Sequence, residues 1–135
     1  MPTRRTFLLS LCLPLLLPGC RSLRGNEMDP RLYDRLRLYE GVVRWGALDQ
    51  MYGFLEPELA AKVQIPEGLA NIRVMAYDAV SPPAPVTEDR WTQSIAIQYV
   101  LQDQQVVKTL VDHQTWEREP DGEVWYRASP IPEFR

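Results

Sequence analysis

An α+β fold, with N-terminal helices packed on one face of a curved antiparallel sheet, follows from three features of this sequence. After residue 28 the apolar positions recur at helical spacing, and they do so only as far as about residue 60. Beyond Asn71 the period changes to two. The period-two runs then follow one another with only short turn-rich connections, which favours consecutive antiparallel strands over parallel crossovers.

The first helix has a legible start and stop. Asp29 suits the N-cap and Pro30 the first helical position, where a missing N–H costs nothing. Leu32, Leu36, Tyr39 and Val43 form one apolar stripe, which Leu38, Val42 and Trp45 are expected to widen, and Gly46 supplies the stop. Ala47 to Leu55 reads as a second, shorter helix with Leu48, Met51, Tyr52 and Leu55 at helical spacing. Pro57 opens a further turn through Glu58, Leu59 and Ala60, and Pro66-Glu67-Gly68 breaks the pattern.

Ile72 to Val80 is the first strand, and Ser81-Pro82-Pro83-Ala84-Pro85 is expected to leave the ladder as a loop at a sheet edge. Trp91 to Leu101 alternates most clearly, with Trp91, Ile95, Ile97, Tyr99 and Leu101 on one face and Thr92, Ser94 and Gln98 on the other. Asp103-Gln104 connects it to Val106–Glu117, where Val106, Leu110 and Trp116 share one face and Val107, Val111 and Thr115 the other. Pro120-Asp121-Gly122 reads as a turn in which glycine takes the left-handed position. Val124 to Arg127 completes a meander, and Pro130-Ile131-Pro132 leaves the sheet.

Ahead of this domain, Arg4 and Arg5 precede an apolar run from Phe7 to Leu17, shorter than the ~20 residues a membrane span needs. Leu17-Pro18-Gly19-Cys20 then resembles the lipobox of bacterial lipoproteins. The resemblance implies cleavage between Gly19 and Cys20, a diacylglycerol on the Cys20 sulfur and an acylated amino terminus such as palmitate. Arg21 follows, and by analogy with lipoprotein sorting the absence of Asp there implies delivery to the outer membrane, facing the periplasm, over retention in the inner membrane. Thr3-Arg4-Arg5-Thr6-Phe7-Leu8 also resembles a twin-arginine export signal, so two export routes stay open. The expected organisation is a signal peptide at 1–19, a lipidated cysteine and tether at 20–28, and a single α+β domain at 29–135.

Composition narrows the partners. The 135 residues carry 15 basic and 18 acidic side chains, and removal of 1–19 leaves 13 against 18, a net charge of −5. That balance, with no basic run, argues against nucleic acid as a partner. The two cysteines are Cys12, within the signal, and Cys20, so the mature domain is expected to fold without a disulfide. A single histidine and no carboxylate spacing typical of ligands point to no metal and no cofactor.

Three side chains have the chemistry of a general base. His113 points with Val111 and Thr115, and it acts near neutral pH if that face lines a pocket; the alternative is an exposed or hydrogen-bonded strand histidine. Asp112 beside it faces the other way, so the two are not a dyad. Asp78, placed at a strand end, and Asp49, early in a helix, are the other candidates. Trp45, Tyr77, Trp91, Tyr99, Trp116, Trp125 and Tyr126 suit a ligand pocket, a core or an interface. Trp125 and Tyr126 are strand neighbours and must face opposite sides.

Arg44-Trp45-Gly46-Ala47-Leu48-Asp49, Phe54-Leu55-Glu56-Pro57-Glu58, Tyr77-Asp78, Asp112-His113-Gln114-Thr115-Trp116 and Gly122-Glu123-Val124-Trp125-Tyr126 together resemble the nuclear transport factor 2-like superfamily. The resemblance spans Asp29 to Phe134 and is narrower to its small bacterial lipoproteins. It implies a cone-shaped fold, a long helix set into a strongly bent sheet, often around an apolar pocket. Some members, such as ketosteroid isomerase and scytalone dehydratase, are enzymes; many bind or dimerise, so fold alone assigns no activity. The leading expectation is a non-catalytic envelope lipoprotein whose cone-shaped domain binds a protein partner or an apolar small ligand and self-associates as a homodimer through the outer sheet face. An isomerase, lyase or hydrolase using the cone pocket is the alternative, and a structural spacer at the membrane surface a further one.

Overall fold

The computed structural model describes residues 27–135. The expected signal, Gly19 and the lipid site at Cys20 lie outside the described residues. Among those residues no helix is long and apolar enough to cross a membrane.

Helix α1 spans Pro30–Trp45, and Asp29 caps it by accepting the Arg31 N–H at 2.9 Å. Gly46 ends it by donating to the Val42 carbonyl at 2.9 Å. Leu32, Tyr39 and Val43 are fully buried on the side facing the sheet, each contributing about 1.5–3 kcal/mol of transfer free energy. The stripe is narrower than expected: Leu38 is exposed and Trp45 is 81% exposed. At about 100° per residue Trp45 stands roughly 140° round the helix from Leu32, too far to share a contact with a single sheet. Its indole instead lies under the Arg44 guanidinium, 4.6 Å away.

The second helical segment, Leu48–Phe54, is a 3-10 helix, not the α-helix that the sequence suggested. Its three-residue turn brings Leu48, Met51 and Phe54 to one buried face, which α-helical winding would splay apart. A short α2 follows at Pro57–Ala60, and a 3-10 turn at Leu69–Asn71 begins after Gly68, whose φ of +84° favours glycine.

Strands β1 (Ile72–Thr87), β2 (Arg90–Leu101), β3 (Val106–Glu117) and β4 (Tyr126–Arg127) form a four-stranded antiparallel sheet in that order, with α1 packed on one face. The architecture is α+β. β2 and β3 pair without interruption from Arg90↔Glu117 to Leu101↔Val106. β1 departs from expectation, because Ser81–Pro85 continues the strand to Thr87. The prolines are tolerated because β1 is an edge strand, and register shifts at Ala79/Ser81, Ser81/Ala84 and Pro85/Thr87 absorb the missing donors. Asp78 consequently lies within the strand, not at its end.

Two smaller corrections concern the C-terminal part. In the Glu119–Gly122 turn the left-handed position belongs to Asp121, at φ +60°, and not to glycine. Gly122 is required by space: a Cβ there would stand 2.8 Å from the Glu119 carbonyl oxygen, which accepts its N–H. β4 omits Val124 and Trp125, since the Trp125 carbonyl accepts from Arg35 Nε at 3.1 Å and its indole N–H donates to Asp29 at 3.2 Å.

Between α1 and the sheet, Tyr39, Phe54 and Trp116 meet edge-on, with ring centroids 5.1–6.3 Å apart. Trp91, Ile95, Ile97 and Tyr99 of β2 complete this core. Phe134 packs on Tyr99, whose hydroxyl exchanges hydrogen bonds with the Arg135 backbone, so the tail is tied to β2.

Candidate functional site

Alternation along β3 aims Asp112, Gln114 and Trp116 inward, and all three are buried. Arg127 of β4, fully buried, meets Asp112 in a bidentate pair at 2.5 and 2.8 Å. Its remaining donors reach the Tyr39 hydroxyl at 2.8 Å, the Ser129 carbonyl at 3.1 Å and the Pro130 carbonyl at 2.6 Å. All five guanidinium N–H groups are therefore used. Burial pulls the Arg127 pKa down, but its hydrogen bonds to Asp112 outweigh that and hold it above the ordinary arginine value. Burial also pushes the Tyr39 hydroxyl well up, so it stays neutral.

Gln114 carries this network outward. Its amide nitrogen donates to Asp112 at 2.8 Å and to the Tyr77 hydroxyl at 3.0 Å. Its carbonyl oxygen accepts from Gln93 at 2.8 Å and from the Trp116 indole at 3.1 Å. Among the described residues no buried side-chain polar atom is left without a partner.

Tyr77 and Gln93 sit where the network reaches a groove of about 330 Å³ between α1 and strands β1 and β2. Met28, Leu36, Ala79, Pro83 and Ile95 make its walls apolar, while Tyr33, Arg37 and Glu40 border it from α1. Two polar groups at the floor have unspent capacity. The Tyr77 hydroxyl accepts from Gln114, and its own proton has no acceptor among the described residues. Gln93 spends its amide nitrogen on Gln114, and its carbonyl oxygen has no donor there. Burial raises the Tyr77 pKa, which keeps that proton in place at neutral pH.

The candidate bases do not gather at the groove. His113 is exposed on the opposite face of the sheet, its Nδ1 2.8 Å from the Ser94 hydroxyl. Asp78 is exposed on that same outer face, paired with Ala96, and Asp49 is exposed on the 3-10 helix. None of the three borders the groove. Of the aromatics, Tyr77 lines it; Trp91, Tyr99, Trp116 and Trp125 are buried in the core; Trp45 is at the surface. Tyr126 is half-buried beside Glu56, Glu58, Glu117 and Glu119, so it and Trp125 do occupy different surroundings. Burial, then hydrogen bonding to Glu117, raises the Glu56 pKa in that acidic hollow. Among the described residues no group of three or more His, Cys, Asp and Glu side chains is placed to hold a metal ion.

Sequence reasoning missed the Asp112–Arg127 pair and the two glutamines. A signal was present: Asp112 shares its strand parity with Leu110 and Trp116, and a carboxylate on a buried face demands a buried cation. Comparison of the chain with protein-family models, with curated proteins and with solved structures finds no match.

Proposed function

We propose that this chain is an envelope lipoprotein, anchored through lipid on Cys20, whose domain is a non-catalytic binding module of the cone-shaped, nuclear transport factor 2-like kind. Its ligand is an apolar small molecule bearing one hydroxyl or carbonyl group. The observation that carries this reading is the groove lining, where Tyr77 with an unspent donor and Gln93 with an unspent acceptor stand among Met28, Leu36, Ala79, Pro83 and Ile95, with Arg37 and Glu40 also on the α1 side. Such a lining fixes the polar end of a ligand while the walls take its apolar body. Acid–base catalysis is disfavoured because His113, Asp78 and Asp49 all stand away from the groove, and the interior charges of Asp112 and Arg127 are spent on each other.

Native mass spectrometry of the chain recovered in mild detergent from its own envelope tests both halves. The expected mass begins at Cys20, carries acyl and diacylglycerol additions, and shows a dissociable small-molecule adduct. Ala79→Trp, which fills the groove from an exposed position, is expected to abolish the adduct and leave the lipid. An unmodified Cys20 would overturn the anchor. Absence of any adduct, or one that survives Ala79→Trp, would overturn the groove as the binding site.

A further inference from the structure

Among the described residues β1 is an edge strand, paired only with β2. Exposed edges template pairing with other strands unless they are blunted, and here the blunting prolines, Pro82, Pro83 and Pro85, all fall in the second half. The first half, 72–80, has none. From α1, Arg44 Nη1 reaches this half with a long hydrogen bond to the Val74 carbonyl, 3.5 Å.

A β-bulge gives this half an unusual symmetry. The register passes from Val74↔Tyr99 to Ala76↔Gln98, leaving Met75 without a partner. Val74, Tyr77 and Ala79 pair with the inward-facing Tyr99, Ile97 and Ile95, while Arg73, Ala76 and Asp78 pair with the outward Val100, Gln98 and Ala96. In an unbulged strand Arg73 and Asp78, five residues apart, would face opposite sides. With the bulge both lie on the outer face, and the inward and outward positions from 73 to 78 read the same in both directions. Arg73 and Asp78 are exposed, and neither makes an ion pair among the described residues.

We propose that two copies of this chain pair through the proline-free half of β1, antiparallel about a two-fold axis between Met75 and Ala76. Arg73 of each copy then stands opposite the partner's Asp78 on the same face, twice over. Inward residues also meet inward residues, Val74 against the partner's Tyr77. Met75, 49% exposed, lies at the axis, and Trp45, 81% exposed, shares a depression with it and Arg73, so the apolar surface at this edge is covered. The contact is isologous, so it closes at two and uses up the β1 edge of both copies. It locates the expected self-association on the strand edge, away from the outer face, and does not depend on what the groove holds.

Disulfide trapping in the full chain carrying Cys12→Ser and Cys20→Ser, which leaves no native thiol, tests the register. Opposed Cα atoms across an antiparallel pair are about 4.5–5.5 Å apart, within disulfide reach. Like positions in the two copies, Arg73 and Arg73, stand about 17 Å apart. Oxidation is expected to link Arg73→Cys/Asp78→Cys into a dimer and to leave each single variant unlinked. A folded double variant that stays unlinked, or single variants that link, would overturn the proposal. Charge reversal adds a second measurement by native mass spectrometry of the full chain in detergent. Arg73→Asp and Asp78→Arg alone are each expected to weaken dimerisation roughly tenfold, and together to restore it. A dimer indifferent to all three, as docking through the outer face would give, would overturn it equally.

Discussion

Asp112 and His113 are neighbours on β3, yet one is 2% exposed in a bidentate ion pair and the other stands in solvent beside Ser94. The same division runs along the strand: Gln114 and Trp116 belong to the interior, Val111 to the bare face. Residue type alone would rank His113 as the chemically active member of the pair. Position reverses the ranking in energy, since the histidine stands in solvent and the ordinary aspartate is held in the interior ion pair.

The sharpest way to break this comparison is to remove one partner of the buried pair. Asp112→Ala leaves Arg127 charged and unpaired in the core, and is expected to cost about 3–5 kcal/mol in urea or thermal unfolding. Arg127→Met combined with Asp112→Ala is expected to recover part of that loss, because the stranded charge is gone. A single variant as stable as the parent would show that the pair does not organise the interior.

A smaller effect comes from Asp29, a carboxylate at the edge of the fold. The Arg31 side-chain hydrogen bond, helped by the Arg31 backbone N–H and the Trp125 indole, holds its pKa at about 2 against an ordinary 3.8. A depressed carboxylate pKa contributes stability above its unfolded value, and that stability is lost as the pH falls from near 3.8 toward about 2. Asp29→Asn keeps a capping oxygen but removes the charge, so it is expected to flatten unfolding profiles across that window. An unchanged acid profile would mean that the Asp29 contacts to Arg31, Arg118 and Trp125 carry no net charge benefit.

The smallest effect is expected on the outer face. His113→Ala should change stability by less than about 0.5 kcal/mol and leave any groove adduct intact. Loss of the adduct on that substitution would reinstate His113 as a functional residue.

Much of the fold was legible because it rests on local chemistry. The Asp29 cap, the Pro30 start, the Gly46 stop and the alternation from Trp91 to Leu101 each follow from residue type and spacing within a few positions. The proline-rich run was misjudged because proline's effect depends on whether a neighbour strand needs its N–H, which is a property of the sheet. Trp45 was misjudged because how much of α1 is covered depends on the width of the surface beneath it. The groove was legible only in part: Tyr77 stood among the candidate aromatics, while Gln93, an uncharged residue inside an alternating strand, gave no local sign of its place.

The sequence by itself determined where α1 starts and stops and how β2 and β3 alternate, since these follow from backbone sterics and periodicity; the 3-10 winding of Leu48–Phe54, the continuation of β1 through its prolines and the side each residue takes after the Met75 bulge did not. Tertiary structure alone decided what each face meets. It brought Arg127 to Asp112 across 15 residues, the indole of Trp125 to Asp29 across 96, and the floor of the groove to the surface of α1. Such long-range pairings are settled by how one amphipathic helix and one sheet can jointly bury their apolar faces while satisfying every polar group carried in with them, and no local window of sequence contains that information.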